Sequence, residues 1–426
     1  MHPVPALITF YLRSRALRAL ALIILVVLAW GIFFGAPTAP RFPPYRLDVD
    51  VYRLGGHAAQ VGVPLYEHTF RTHSGIDLPF TYPPLAAQLF TVLAWMNLDY
   101  AATLMAGGSV IALFVAVWVT LRDLTALRGV GLVWVSIGIL VLVIYLMPFR
   151  ETVNFGQINV FLMLLVLVDL TIGRDRWWRG SLIGLAAAVK LTPLVFGIYF
   201  LVRRDLRGAL QTLLVAGLLT VIGFLRAPQD SMTYWTHTVF DSGRIGSPGF
   251  ASNQSIQGLL ARTDLPDSAQ QVLWLVAVVL LGGVTTVIMW QLIDRGEHFG
   301  ALSINAFFGL LASPVSWSHH WVWVVPMLIW LVWCAGTWRH EPVARRHASG
   351  PDRVLLAFAA AGWWIFFTAP QFRLPHGMGQ EQRWSVLQVL YGNLWTWWAL
   401  ALLVLGAIKL SGHGGRPLAA SLPAPQ

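Results

Sequence analysis

The sequence predicts an all-α polytopic membrane protein, and two observations carry that prediction. Hydrophobic residues fill 57% of the 426 positions and charged residues 11%, against roughly 25% charged in an ordinary soluble domain. Apolar runs of about 18 or more residues recur from end to end, each long enough to cross a hydrocarbon layer of about 30 Å. No soluble domain of any size fits between them. Residues 1–410 therefore read as one integral membrane domain, and 411–426, rich in Gly, Pro and Ala, as a flexible cytoplasmic tail.

The net charge of +10 would suggest nucleic acid in a soluble protein, but here the basic residues cluster between apolar runs. That is a topology signal, with some affinity for lipid headgroups. The single cysteine, Cys334, excludes an internal disulfide and a multi-cysteine zinc site.

Arg13, Arg15 and Arg18 precede the apolar stretch from Ala16 to Gly35, which lacks a small-residue cleavage pattern and reads as a retained first helix with its N-terminus in the cytoplasm. That helix delivers a loop, residues 37–84, to the outer side. The loop gathers Asp48 and Asp50 among Arg46, Arg53, three histidines and four tyrosines. The basic clusters Arg122 to Arg128, Arg174 to Arg179, Arg203 to Arg207 and Arg339 to Arg353 are then cytoplasmic. The polar breaks at 148–159, 227–270, 314–320 and 370–386 join the first loop outside.

This arrangement imposes a parity. Residues 85–121 cross an odd number of times, satisfied if Leu85 to Met96 lies at the interface and Ala101 to Leu121 crosses. Residues 180–202 cross an even number. Lys190 and Pro193 interrupt that run, so two half-helices meeting at Lys190-Leu191-Thr192-Pro193 would dip in and return, which requires a protein-lined cavity. A kinked span that breaks the charge rule is the plain alternative. Further spans are expected at Val130 to Met147, Val160 to Ile172, Ala209 to Leu225, Val272 to Leu292, Ala301 to Ala312, Trp321 to Cys334, Val354 to Phe367 and Leu387 to Leu410. The total is about ten or more crossings on the plasma (inner) membrane.

Several residues are candidates for chemistry. Asp48 and Asp50 share a face on an extended segment and diverge on a helix. One of them suits a general base toward a sugar hydroxyl, with the other acid or the neighbouring arginines fixing its charge state; pairing with Arg46 and Arg53 to shape the loop is the alternative. Gln157 and Asn159 open a helix and suit sugar hydroxyls, while Arg150 offers a fixed cation for phosphate; helix capping and an Arg150 to Glu151 pair would account for them equally. Lys190 is the one lysine inside an apolar run, a costly position unless it is paired with a phosphate headgroup or a carboxylate such as Asp169. In Ser313 to Trp321, His319 and His320 point apart on a helix, which argues against a shared metal and for one donor to a leaving phosphate oxygen. Asn253 and Gln254 suit carbohydrate but are also ordinary loop residues.

These stretches together resemble the actinobacterial polyprenyl-phosphate-mannose-dependent alpha-1,2-mannosyltransferases, multispanning enzymes of the GT-C class. The resemblance runs from Asp48 to about Pro326. It rests on Asp48-Val49-Asp50-Val51-Tyr52, Phe80-Thr81-Tyr82-Pro83-Pro84, Gly156-Gln157-Ile158-Asn159, Val189-Lys190-Leu191-Thr192-Pro193, Asn253-Gln254-Ser255 and Ser313-Pro314-Val315-Ser316-Trp317-Ser318-His319-His320-Trp321. It implies extracytoplasmic active-site loops, Asp48 as catalytic base and Asp50 as a supporting acid. Donor phosphate would meet Arg150, Lys190, His319 and His320. Sugar or acceptor would meet Tyr52, Tyr82, Gln157, Asn159, Asn253, Gln254 and Trp317.

The implied donor is polyprenyl-phosphate mannose and the acceptor a mannosylated membrane glycolipid, with inversion at the anomeric carbon and no metal or cofactor required. Tyr45 to Arg53 looks more like the enzymes that branch lipomannan and lipoarabinomannan than like those adding the fifth mannose to phosphatidylinositol mannosides. A lipid transporter or flippase, and a polysaccharide polymerase or ligase, are the rival readings. The first is disfavoured by the absence of a visible internal repeat and by charges gathered in an outer loop.

Overall fold

The computed structural model describes residues 6–34, 45–337 and 352–411. Residues 37–44 of the first loop, most of the Arg339 to Arg353 cluster and the tail from 412 lie outside them. Five helices are long and apolar enough to cross a membrane: Arg15–Phe34, Leu98–Leu124, Leu206–Arg226, Asp267–Asp294 and Ser318–Gly336. Two broken pairs raise the number to seven if each is one span. Gly129–Val143 meets Met147–Phe155 at 85°, and Val386–Gly392 meets Leu394–Leu410 at 68°.

The protein is thus a multi-pass membrane protein, but its crossings are less uniform than the ten or more expected. Asn159–Leu170, His298–Ala312 and Arg353–Thr368 fall among the apolar helices of 10–17 residues. At 1.5 Å per residue a 12-residue helix spans only about 18 Å, so these shorter helices need protein around them to cover their polar ends. Lipid-facing and interior helices separate by burial. The apolar windows of Arg15–Phe34, Leu206–Arg226 and Asp267–Asp294 are 6%, 17% and 17% buried, whereas that of Ser318–Gly336 is 78% buried. The latter packs in an aromatic core where Trp321 meets Phe307, Phe366 and Trp395 at ring distances of 5.7, 5.7 and 6.0 Å.

Three ion pairs tie neighbouring turns together at one end of the bundle. Arg174 bonds both oxygens of Asp123, Arg179 pairs with Asp205 at 2.7 Å and Arg203 with Asp175 at 2.9 Å. The Arg179–Asp205 pair joins the two sides of residues 181–202, and Gly180 abuts the backbone of Gly208 so closely that a Cβ would collide. Both ends of this segment therefore lie at the same pole. Between them, helix Ser181–Val189 ends at Lys190, whose backbone is extended at φ −151° and ψ 128°, and the chain returns through a 3-10 turn Thr192–Phe196 and helix Gly197–Val202. The segment is re-entrant, with Lys190 at its apex. Pro193 opens the returning half, where its missing N–H costs nothing.

The first loop carries a helix, Leu47–Val61, so Asp48 and Asp50 diverge rather than share a face. Both acids occupy the first turn, where carboxylates complement the exposed N–H groups and dipole of a helix start. The helix lies against Pro84–Ala94, and Gly55 and Gly56 permit the approach: a Cβ at either would come within 2.5 Å of Phe80 or of the Phe90 carbonyl. A two-stranded hairpin follows the helix, Phe70–Arg71 paired with Asp77–Leu78.

Candidate active site

Opposite the ion-paired pole, five segments distant in sequence converge. Helix Met147–Phe155 stops at Gly156, whose φ of +74° suits glycine and whose missing Cβ leaves space for Val49. The turn throws Gln157 toward the Leu47–Val61 helix. There its Nε2 donates to Asp48 Oδ2 at 2.6 Å. Its Oε1 accepts from Tyr52 at 3.0 Å, Tyr82 at 3.1 Å and Asn159 at 3.3 Å. The two tyrosine hydroxyls are 2.8 Å apart, and Tyr52 stacks on Phe90 at 4.3 Å.

Asn159 continues the chain. Its Oδ1 accepts from Lys190 Nζ at 2.9 Å, and Nζ lies 3.2 Å from His320 Nε2 and 5.3 Å from the Tyr82 ring centroid. The Trp317 N–H reaches His320 Nδ1 at 3.2 Å, which leaves the proton of a neutral ring on Nε2. Lys190 and His320 thus present two donors toward one place, an arrangement that an anionic oxygen satisfies. Next to it, His319 is 6% exposed and neither ring nitrogen has a hydrogen-bond partner, although its ring touches Phe155 at 5.7 Å.

Burial pushes the Asp48 carboxyl up to about 6, with the negative charge of Glu151 adding to it. The Gln157 hydrogen bond and the Lys190 charge oppose the rise. Such a group is ionised near neutrality yet basic enough to take a proton. Burial raises Tyr52 and Tyr82 as well, so both stay protonated donors. A cavity of about 360 Å³ opens from Asn159 and His320 and continues between apolar walls that include Leu162, Val166, Phe196 and Trp323.

Other predicted residues lie elsewhere. Asp50 accepts from His73 N at 2.6 Å and Tyr45 at 3.1 Å and pairs with Arg53 at 3.6 Å, so it pins the hairpin to the helix. The Arg150 guanidinium sits 5.7 Å over the Tyr145 ring. The Asn253 amide bonds Pro248 and Pro314 carbonyls and the Ser316 N–H; the Gln254 amide bonds Ala251 and Gly392 carbonyls. Both are fully buried. The Asn253 side chain therefore anchors the segment that presents His320, and that of Gln254 ties its own turn to the end of helix Val386–Gly392, which gives both a positioning part in place of the expected sugar contact. Trp317 packs on Phe250 at 6.0 Å.

Two residues that the sequence offers as ion-pair partners take other parts in the structure. Arg46, 1% exposed, donates to the Val153 and Ile32 carbonyls and so caps two helix ends beside Asp48. The sequence offers Glu151 as a partner for Arg150. The available signal was its i, i+4 spacing to Phe155 on one helix face.

A carboxylate linked through amides and tyrosines to a lysine and a histidine, in a membrane-embedded fold with an apolar cavity alongside, defines a membrane enzyme acting on a polar group carried by a lipid. The chain belongs to glycosyltransferase family 87, whose pattern matches residues 80–314. It is 37% identical over 406 residues, 92% of this chain and 90% of the relative, to the polyprenol-phosphate-mannose-dependent alpha-(1-2)-phosphatidylinositol mannoside mannosyltransferase of Mycobacterium tuberculosis. To the protein of the same description in Mycolicibacterium smegmatis it is 38% identical, covering 85% of this chain and 83% of the relative. To a polyprenol-phosphate-mannose-dependent alpha-(1-2)-phosphatidylinositol pentamannoside mannosyltransferase of M. tuberculosis it is 32% identical, covering 84% and 81%. No solved structure matches the chain. Family membership sets the transporter reading aside.

Proposed function

We propose that this protein transfers mannose from polyprenyl-phosphate mannose to a mannose of a phosphatidylinositol-anchored acceptor, forming an alpha-1,2 linkage with inversion. The observation that carries the reading is the hydrogen-bonded path Asp48–Gln157–Asn159–Lys190, which links a base to the anion-binding pair that Lys190 forms with the adjacent His320. Asp48 takes the proton of the acceptor 2-hydroxyl as its oxygen attacks the anomeric carbon. The bond from that carbon to the phosphate oxygen breaks, and its electron pair leaves with polyprenyl phosphate. Lys190, His320 and the partner-free His319 stabilise the charge that develops there. Phosphate is already a good leaving group, so cations and donors suffice. The apolar continuation of the cavity suits the isoprenoid chain.

The acceptor we favour is the lipomannan or lipoarabinomannan backbone, itself a mannosylated phosphatidylinositol. The names of the relatives at 37% and 38% identity support a mannosylated phosphatidylinositol acceptor; the choice of the longer backbone rests on the wording of Tyr45 to Arg53. The fifth mannosylation of phosphatidylinositol mannosides is the second reading. The site belongs outside the cytoplasm on this proposal, because the arginine-rich turns at 122–128, 174–179 and 203–207 lie at the opposite pole.

Purified protein incubated with polyprenyl-phosphate mannose and an alpha-1,6-linked mannoside tests all of this, with Asp48→Asn alongside. New alpha-1,2 linkages that vanish in the variant are expected. Transfer to phosphatidylinositol tetramannoside but not to the mannoside would move the acceptor to the second reading; no transfer to either would overturn the reaction.

A further inference from the structure

The path from Asp48 to His320 accounts for one wall of the site. Glu151, on helix Met147–Phe155 just ahead of Gln157, is unused by it. We propose that Glu151 is a second carboxylate of the active site, accepting a hydrogen bond from a hydroxyl of the acceptor mannose; this rests on the transfer reaction proposed above.

Three features of the structure support it. First, Glu151 and Phe155 are four residues apart on helix Met147–Phe155 and share a face. Phe155 on that face meets the His319 ring at 5.7 Å, and Thr152 beside it donates to the His319 carbonyl at 3.3 Å. The face is thus turned toward Ser318 to His320, and Glu151 itself bonds Ser318.

Second, Glu151 is half-buried, and its charge is favoured by Asn154, by the Arg150 charge and by Ser318, with no guanidinium bonded to it. Its carboxylate takes a long 3.5 Å bond from Asn154, an exposed amide, and Arg150 next in sequence has its guanidinium over Tyr145. A carboxylate held in a partly enclosed site without a bidentate arginine is costly unless other donors complete it. Sugar hydroxyls are such donors, whereas the donor phosphate would repel it.

Third, the Glu151 charge is felt at Asp48 and raises its carboxyl. The base must touch the acceptor hydroxyl, so a carboxylate in electrostatic contact with the base lies beside the acceptor sugar rather than at the lipid end of the cavity.

The test uses the full-length protein in detergent or nanodiscs, with Glu151→Gln and Glu151→Asp. Glutamine keeps the shape and removes the charge; aspartate keeps the charge. For Glu151→Gln the expected results are an acceptor KM raised about tenfold, as for a lost hydrogen bond to a charged group, with the donor KM unchanged. The acid limb of kcat/KM for the acceptor moves to lower pH, because a like charge no longer opposes ionisation of Asp48. Glu151→Asp keeps the limb near its wild-type position, which separates loss of charge from loss of fold.

An unmoved acid limb in Glu151→Gln, or a KM effect on the donor alone, overturns the proposal. Complete loss of turnover together with disappearance of the limb also overturns it, by making Glu151 the base. If Asp48→Asn stays active while Glu151→Gln behaves as expected, the assignment of the base fails and the acceptor contact stands.

Discussion

Replacing Asp48 by asparagine should separate activity from stability in opposite directions. The Asp48 carboxyl lies at about 6 in the folded protein against an ordinary 3.8, chiefly because burial disfavours its charge. A raised carboxyl contributes its full stability below the unfolded value and loses it as pH rises through the folded one. At pH 7.5 the ionised side chain thus costs the fold about 3 kcal/mol; near pH 5 about half of that remains, and near pH 4 little. Asparagine removes the cost while its amide oxygen still accepts from Gln157, which bonds Asp48 at 2.6 Å. The variant should therefore melt higher than wild type at pH 7.5, with the gap narrowing toward pH 4. It should lose turnover by about 10²–10⁴, the usual contribution of a general base. In wild type, kcat/KM should fall about tenfold per unit below pH 6, since only the ionised form accepts a proton. Thermal unfolding of detergent-solubilised protein at several pH values, with transfer assayed in parallel, reads both. A variant that melts lower than wild type at pH 7.5 while keeping transfer would refute the reasoning from burial to base.

Three other substitutions report on neighbouring links. Lys190→Met keeps the apolar stem and deletes the charge facing His320; donor KM should rise about 10- to 100-fold, as for a lost charged hydrogen bond, with acceptor KM little changed. Gln157→Ala strips Asp48 of the hydrogen bond that lowers it and leaves the Tyr52 and Tyr82 hydroxyls without their shared acceptor. The acid limb should move to higher pH and kcat/KM should fall, measured in the same pH series. Gly156→Ala combines a φ of +74° with a collision against Val49, so folded yield by size-exclusion chromatography should drop, with a loss of about 1 kcal/mol or more from the backbone alone.

Much of the site was legible because its chemistry contradicts its surroundings. Lys190 stands out in an apolar run at any level of description, and the charge clusters on either side of it required the chain to turn back there. The Arg179–Asp205 pair is the physical form of that requirement. What sequence did not supply is direction. Asp48 and Asp50 read as equivalent until the Leu47–Val61 helix sends one to Gln157 and the other to Arg53 and the hairpin. Asn253 and Gln254 look like sugar ligands because amides serve carbohydrate and backbone carbonyls alike; only the positions of Pro248, Pro314 and Gly392 decide between them. Helix lengths misled for a related reason. Apolar runs report that a segment avoids water, not whether lipid or protein surrounds it: Asn159–Leu170 and His298–Ala312 are mostly buried in protein, whereas Arg353–Thr368 leaves Val354 and Trp364 exposed.

The re-entrant segment explains how a lysine can be placed at such depth. A continuous helix through residues 181–202 would satisfy its own backbone and leave Lys190 on one face, free to point toward lipid. Breaking the helix at Lys190 ends the ladder there: its N–H still bonds Ala186, but the extended residue carries the side chain out of the helical path toward Asn159 and His320. The break itself is covered, since Thr192–Phe196 lies under His298–Ala312, with the Asn305 amide bonding the Val195 carbonyl at 3.1 Å. Backbone irregularity within a membrane is tolerable where protein satisfies it, and here Val195, whose carbonyl is satisfied, and Ala306, next to Asn305, line the cavity. The polar network and the broken helix are therefore one feature, because neither is stable in a bilayer without the other.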